Sequence, residues 1–443
     1  MSSNSIVKYL VQPGGRLSGE FKVPGDKSIS HRSIMMGALA DGVTTVTGFL
    51  EGEDSLATLV AFKQMGVAID GPANGRLSIH GVGMHGLKAS AAHLDLGNSG
   101  TSMRLLAGLL CGQVFDSVLI GDGSLNKRPM RRVTDPLGQM GAVIEVTDRG
   151  TAPLHIIGGK NLVSIDYLMP MASAQVKSSL LLAGLYAQGR TTVTEPGVTR
   201  DHTERMLTAF GYPVEIDNNT VVVQGGGALT ATNLTIPGDI SSAAFFMVGA
   251  CIAPDSDITL CDVGINPTRK GVLEILRQMG ANITVKNERL FGNEPVADLR
   301  IVSSALKGIE IPESLVPLAI DEFPAIFVAA ACAQGTTVLR GASELRVKES
   351  DRIQVMADGL QNLGIDAIAT EDGMVIQGKG YFDGGIINSH GDHRIAMAFT
   401  MAGLCAKQPI TVEDCANVNT SFPEFVKLAC QVGVNVTETD TID

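Results

Sequence analysis

The chain has 443 residues, of which 44% are hydrophobic and 18% charged, a globular composition long enough for two cores. Its net charge of −12, absence of Trp and 4% aromatic content argue against a nucleic-acid surface, which needs positive charge and stacking rings. The longest apolar or small run, Ala243–Ala253, is shorter than the roughly 18 residues of a membrane span, and Met1–Glu20 carries no apolar signal segment, so a cytoplasmic protein with no membrane partner is expected.

In chain order, Val23-Pro24-Gly25-Asp26 opens a stretch of small and apolar residues up to Ala40, followed by the β-branched run Thr44–Thr47. The same pattern returns as Ile236-Pro237-Gly238-Asp239, followed by Ile240–Ile252. Smaller copies fall between and beyond. Helix starts are expected near Ser28, Ser99, Ser173, Ser241, Asp321 and Asp392, most leading into strands such as Thr191–Thr194, Thr336–Val338 and Ile410–Val412. A second set of amphipathic helices closes on Gly66, Gly141, Gly211, Gly280, Gly364 and Gly433, each placed to supply a left-handed C-cap. These glycines lie roughly 70 residues apart, a longer period than that of solenoid repeats. The reading is an α/β chain of six strand–helix–strand–helix–strand–strand units in two halves, with crossings near Val23–Asp26 and Ile236–Asp239. The chemistry is expected where the halves meet.

Seven cysteines, an odd number with no C-x-x-C pair, read as reduced thiols. His390-x-x-His393 lacks a third supporting cluster and is not read as a metal site. Glu51, Glu53 and Asp54 read as a solvated loop, Met35-Met36 and Met169–Met171 as core, and His31 and His202 as positioning or solvent-facing groups.

Residues with anion-binding chemistry recur at the helix starts, where unpaired N–H groups favour negative charge. Asp26-Lys27-Ser28-Ile29-Ser30-His31-Arg32 is the first such segment; it lacks the full G-x-x-x-x-G-K-[ST] spacing of a nucleotide loop. Then come Asn98-Ser99-Gly100-Thr101-Ser102-Met103-Arg104, Lys127-Arg128-Pro129, Ser173-Ala174-Gln175 and Arg200-Asp201-His202. The second half contributes Asp321-Glu322, Arg346–Arg352 and His390–Arg394.

From Pro24 to Pro423 this ordered set of motifs resembles the EPSP synthases (3-phosphoshikimate 1-carboxyvinyltransferases) of the enolpyruvyl transferase family, and the less common of their two sequence classes. The resemblance implies two domains of three βαβαββ units each, 21–236 and 1–20 plus 237–443, with the active site in the cleft between them. It implies a transfer of the enolpyruvyl group of phosphoenolpyruvate to the 5-hydroxyl of shikimate 3-phosphate through a tetrahedral intermediate. Lys27, Ser28, Arg32, Ser173, Ala174, Gln175, Arg200, Asp321 and Lys348 match shikimate 3-phosphate contacts. Lys27, Gly100, Arg128, Gln175, Arg352 and Arg394 match the phosphoenolpyruvate pocket, and Asp321, Glu349 and Lys27 the proton-transfer groups. Lys27 is expected to lie among other cations. A monomer needing no metal or organic cofactor is implied.

Thr420 stands where many members have lysine, and Leu105 where many have proline. Gly100 stands where insensitive members of this class have alanine, so sensitivity to glyphosate is expected. The related UDP-N-acetylglucosamine enolpyruvyl transferases carry a reactive cysteine that Gly112–Lys127 lacks. A non-catalytic phosphometabolite-binding protein would have no need of both Asp321 and Glu349.

Overall fold

The computed structural model describes residues 6–441. Twelve α-helices alternate with strands among them. In the first half these are α1 (Lys27–Leu39), α2 (Glu53–Gln64), α3 (Gly100–Cys111), α4 (Arg131–Gln139), α5 (Ala174–Gly184) and α6 (His202–Ala209). In the second they are α7 (Ile240–Ile252), α8 (Gly271–Gln278), α9 (Phe323–Cys332), α10 (Arg352–Asn362), α11 (His393–Ala402) and α12 (Phe425–Val432).

Odd-numbered helices are buried almost all round, which explains their small and apolar composition; α7 is buried from Ile240 to Cys251. Even-numbered helices are amphipathic, end on the expected glycines and cover the sheets. Close approach between helices demands small residues. At Gly108 on α3 an added Cβ would lie 2.0 Å from the Ser179 carbonyl oxygen of α5.

The sheets repeat one plan. In the second βαβαββ unit of the first half the order is Leu94–Asp95, Ser117–Ile120, Leu154–Ile157, Val143–Glu145, with the first pair parallel and the others antiparallel. Asp166–Leu168, Arg190–Thr194, Thr220–Gln224 and Val214–Asp217 repeat it. Two sheets borrow their first strand from across the crossings. Asn233–Thr235 runs parallel to Ala40–Thr47, while Ser18–Phe21, which precedes α1 in the chain, runs parallel to Asp257–Gly264. A third is completed by the N-terminal strand Ile6–Gly15, which lies between Ile410–Glu413 and Val434–Thr441.

The chain accordingly divides into two compact units. One comprises Gly25–Pro237 and Leu290–Glu294; the other comprises the chain up to Pro24, Gly238–Arg289 and everything from Pro295. The boundary falls at Pro24 rather than at residue 20 because Phe21 is still in register with Leu260. Each unit has its own hydrophobic core. Among the described residues no helix is long and apolar enough to cross a membrane.

All six closing glycines have positive φ, from 78° at Gly211 to 119° at Gly433. Their surroundings differ. A Cβ at Gly66 would meet only the flexible Lys88 side chain, at 3.2 Å, whereas at Gly433 it would lie 2.0 Å from the Arg16 carbonyl oxygen. Gly66→Ala should therefore cost about 1 kcal/mol, the penalty of the left-handed conformation alone. Gly433→Ala should cost clearly more, because backbone has to move. Urea unfolding compares them; equal losses would show that steric contact with Arg16 is unimportant.

Candidate active site

Both Pro-Gly-Asp phrases end in a helix cap. Asp26 Oδ1 accepts from the Ile29 N–H at 2.9 Å, and Asp239 Oδ1 from the Ser241 N–H at 2.9 Å. Ser28 and Ser241 thus sit inside the first turns rather than at the starts. Lys27 is the first residue of α1, and its Nζ lies 2.5 Å from Asp54 Oδ2 in the first turn of α2. This corrects one expectation. Asp54 is 5% exposed and belongs to no solvated loop, and it forms an ion pair with Lys27. The cause is local: the N-terminus of α2 and the Lys27 ammonium both stabilise a buried anion there.

One turn along α1, Arg32 is 4% exposed. Its Nε donates to Thr203 Oγ1 at 2.7 Å, Nη2 to Ser178 Oγ at 2.9 Å and Nη1 to the Ser28 carbonyl at 3.0 Å. These acceptors are neutral, and burial lowers the guanidinium to about 10, against the pull of Glu204 and Asp26 and with a further push from Arg200. Arg32 remains charged at neutral pH. Ser28 and Arg200 are both half-exposed, Arg200 immediately before the Asp201 cap of α6.

The starts of α3 and α5 meet beside this cluster. Ser99 caps α3 and Ser173 caps α5. Gln175 Nε2 donates to Thr101 Oγ1 at 3.0 Å, and Arg104 Nη1 donates to Gln175 Oε1 at 2.5 Å. Ala174 opens α5 next to Gln175. Arg128 Nη2 donates to Asn98 Oδ1 at 2.7 Å. A Cβ on Gly100 would meet Nη1 of both Arg104 and Arg128 at 3.1 Å. Gly100, Arg104, Arg128 and Gln175 thus form one group, in which Arg104 was not anticipated as a site residue.

In the other unit Arg352 has no exposed surface. Its Nε donates to Asp392 Oδ2 at 2.8 Å, Nη2 to Glu349 Oε2 at 2.6 Å and to Asp392 Oδ1 at 3.3 Å, and Nη1 to Asp321 Oδ1 at 3.3 Å. Burial opposes the charge, but Asp392, Glu349 and Asp321 outweigh it and hold Arg352 well above the usual guanidinium range. Lys348 Nζ is 3.5 Å from Asp321 Oδ1, and Arg394 Nη1 donates to the Asp321 carbonyl at 3.1 Å. Asp392 also caps α11 through the Arg394 N–H and accepts from Ser350 Oγ at 3.0 Å. Asp321, Lys348, Glu349, Arg352 and Arg394 are thereby brought together. Asp392, noted in the sequence only as a helix start, is the residue that fixes Arg352.

Comparison with known proteins agrees with this arrangement of motifs. The family profile described as EPSP synthase (3-phosphoshikimate 1-carboxyvinyltransferase) matches residues 11–428. The 3-phosphoshikimate 1-carboxyvinyltransferase of Methylococcus capsulatus is 66% identical over 97% of this chain and 98% of its own length. That of Nitrosococcus oceani is 64% identical, covering 98% of each chain. A solved EPSP synthase from Acinetobacter baumannii matches with a TM-score of 0.89 and 60% identity, over 98% of this chain and all of that one. The chain belongs to the EPSP synthase family. It is a transferase with the two-domain α/β fold of the enolpyruvyl transferases.

Within this EPSP synthase family member, Thr420 is 5% exposed and donates to the Asn417 carbonyl at 2.7 Å, so its hydroxyl serves the local 3-10 turn. Two histidines read as positioning or solvent-facing are both buried, which overturns the solvent-facing option. His202 Nδ1 lies 2.8 Å from Glu294 Oε1. His31 Nδ1 lies 2.8 Å from Thr58 Oγ1 and 3.2 Å from Ser102 Oγ, joining α1, α2 and α3. Met169 is buried as expected, but Met171 is 44% exposed and is not core. Among the described residues no group of three or more His, Cys, Asp or Glu is placed to hold a metal ion.

Burial, then repulsion from Lys27 and Arg32, holds the His31 imidazolium well below its ordinary value of 6.5. Above that pH both folded and unfolded chains hold it neutral, and stability is unaffected by the group. Below it the unfolded chain takes up a proton that the folded one refuses, so stability falls with pH by up to about 1.4 kcal/mol per unit. Urea unfolding between pH ~6.5 and ~5 should show a shallower loss in His31→Gln than in the native chain. Parallel profiles would mean that His31 can be protonated in the fold.

Proposed function

We propose that this protein transfers the enolpyruvyl group of phosphoenolpyruvate to the 5-hydroxyl of shikimate 3-phosphate, releasing phosphate in the route to chorismate and the aromatic amino acids. The observation that carries this reading is near-full-length identity of 58–66% to relatives named 3-phosphoshikimate 1-carboxyvinyltransferase. We also infer a monomeric, cytoplasmic enzyme.

In this reading the phosphate of shikimate 3-phosphate is met by Ser28, Arg32, Ser173 and Arg200, with Ala174 and Gln175 beside it. Arg32 suits the role because its direct partners are neutral hydroxyls and a carbonyl, so a dianion would give it a direct ionic partner. Phosphoenolpyruvate is held by Lys27, Gly100, Arg128, Gln175, Arg352 and Arg394, with Arg104 added from its bond to Gln175. Arg352 commits four of its five N–H groups to Asp392, Glu349 and Asp321. It therefore holds the carboxylates in place and has one Nη1 N–H left for a ligand.

The first step forms a bond between the 5-oxygen and C2 of phosphoenolpyruvate. Asp321, oriented by Arg352 and Lys348, accepts the hydroxyl proton, while C3 gains a proton from Glu349 and becomes a methyl group. In the second step the C2–O bond to phosphate breaks, the departing phosphate takes up the proton held by Asp321, C3 returns a proton to Glu349, and the enol ether forms. Lys27 assists proton transfer near both substrates. The two carboxylates divide the work because they occupy different positions around one guanidinium.

Phosphate release from phosphoenolpyruvate should depend on shikimate 3-phosphate, and its absence would end the reading. Asp321→Asn and Glu349→Gln should each lower kcat about 10²–10⁴-fold. Native-like rates in either variant, measured by the same phosphate assay, would remove that residue from the mechanism.

Gly100→Ala tests the phosphoenolpyruvate side. Its methyl group has to displace the heads of Arg104 and Arg128 by a few tenths of an ångström. KM for phosphoenolpyruvate should rise and inhibition by glyphosate should weaken. Unchanged inhibition together with an unchanged KM would place Gly100 away from both.

A further inference from the structure

Arg200 sits on a loop that runs from the end of the strand Arg190–Thr194 to the start of α6. Glu195 and Thr199, at the ends of this loop, are buried, but its middle is not. Val198 is 48% exposed, and a Cβ on Gly197 would meet no atom within 4 Å. Among the described residues no backbone N–H of residues 197–199 bonds to a backbone carbonyl. Side chains therefore give the loop its shape. Thr199 Oγ1 donates to Glu195 Oε2, which closes the loop at its base one residue before Arg200. Lys177 Nζ donates to Glu195 Oε1 at 2.6 Å and lies 2.7 Å from Glu204 Oε1 on α6. Lys177 is itself buried, on α5 two residues after Gln175. Burial opposes its charge, but Glu204 and Glu195 outweigh burial and hold the ammonium above its ordinary range. Such a cation is a firm anchor, since losing it would strand two carboxylates away from water. It connects the helix start that presents Ser173 and Gln175 to the loop end that presents Arg200.

We propose that Thr199, backed by Glu195 and Lys177, is a positioning residue that sets Arg200 for the phosphate of shikimate 3-phosphate. This rests on the role of Arg200 proposed above and adds what holds the arginine in place. Gripping an anion in one geometry costs a guanidinium side chain much of its freedom, and a loop that wandered as well would raise that cost. Closing the loop before the ligand arrives removes the backbone share. Affinity for shikimate 3-phosphate should therefore depend on the tether, while the making and breaking of bonds at phosphoenolpyruvate should not.

Calorimetric titration of the full chain with shikimate 3-phosphate reads this affinity without turnover. Thr199→Val keeps the outline of the side chain and removes the donor, and its Kd should rise about tenfold, the weight of one hydrogen bond to a charged group. Thr199→Ser keeps the donor and should bind as the native chain does. In the phosphate-release assay the valine variant should show a raised KM for shikimate 3-phosphate with kcat and the KM for phosphoenolpyruvate nearly unchanged. Native affinity in Thr199→Val would overturn the proposal, as would an equal rise in Thr199→Ser. A loss spread alike over kcat and both KM values would also overturn it, because general loosening of the fold produces that pattern. Thr199→Ala removes the donor with less crowding and takes the place of the valine variant where that folds poorly. If the native chain binds shikimate 3-phosphate and turns over, and the valine variant matches it, the tether alone is refuted. If the native chain does neither, the transferase reading falls and the tether with it.

Discussion

A guanidinium shut away from water cannot remain charged without compensation, and the two units meet this constraint in opposite ways. Arg352, with no exposed surface, is surrounded by Asp392, Glu349 and Asp321 and is held well above its usual range. Arg32, nearly as buried, is bonded to two hydroxyls and a carbonyl and is lowered to about 10. The first is a cation already neutralised, whose effect is to fix carboxylates. The second is a cation with no carboxylate among its direct partners, to which a bound phosphate would be worth more than to an exposed lysine. Both states depend on helix N-termini: Arg32 lies near the start of the interior helix α1, while Arg352 opens the surface helix α10 and is gripped by Asp392, the cap of the interior helix α11.

The scaffold follows from the repeat. A βαβαββ unit presents one helix to the interior and one to the surface, and three such units bring three interior helix starts together. Hydrogen bonds between those starts, such as Gln175 to Thr101 and Arg32 to Ser178, set the spacing of the charged groups. The borrowed strands have a mechanical consequence. Because Ser18–Phe21 pairs with Asp257–Gly264 and Asn233–Thr235 with Ala40–Thr47, each Pro-Gly-Asp segment joins a strand in one unit to a helix in the other. The proline and glycine mark the crossings expected from the sequence, and the aspartate is the cap that starts the next helix.

What could be read from the sequence was what is encoded locally. The closing glycines announced themselves because only glycine adopts φ near 90° cheaply, and all six have positive φ. The helix starts were legible from Ser and Asp caps to within a residue or two. Long-range partners carried no such signal. Asp54 looked like one of three acids in a loop, yet it neutralises Lys27; Asp392 looked like a cap, yet it also grips Arg352 across 40 positions. Lys177, two residues past Gln175, forms a buried triad with Glu195 at 2.6 Å and Glu204 at 2.7 Å that no spacing suggested. His31 and His202 were ambiguous for the same reason, since imidazole suits surface and core equally until its neighbours are known. The family resemblance supplied roles for site residues because it carries the three-dimensional pairing that local patterns omit.

The distribution of charge between the units bears on how an acidic protein attracts anions. With a net charge of −12, the overall field opposes phosphorylated substrates. Around Arg352 the named cations Lys348, Arg352 and Arg394 face the carboxylates Asp321, Glu349 and Asp392, so that group is close to neutral. Thr420, in place of the lysine common in the family, adds nothing to it. Around Gly100 and Arg32 the named cations are Lys27, Arg32, Arg104, Arg128 and Arg200, with Asp54 ion-paired to Lys27 and Glu204, Asp26 and Glu294 acting on Arg32. The contrast lies in direct bonding: Arg352 is bonded to three carboxylates, whereas Arg32 is bonded to hydroxyls and a carbonyl, with Glu204 and Asp26 acting on it at longer range. Anion capture and proton transfer make contradictory demands on one local field, since cations that draw in phosphate also weaken a carboxylate as a base. In the proposed reaction these demands fall on two guanidiniums with different direct partners, Arg32 among neutral groups and Arg352 among carboxylates.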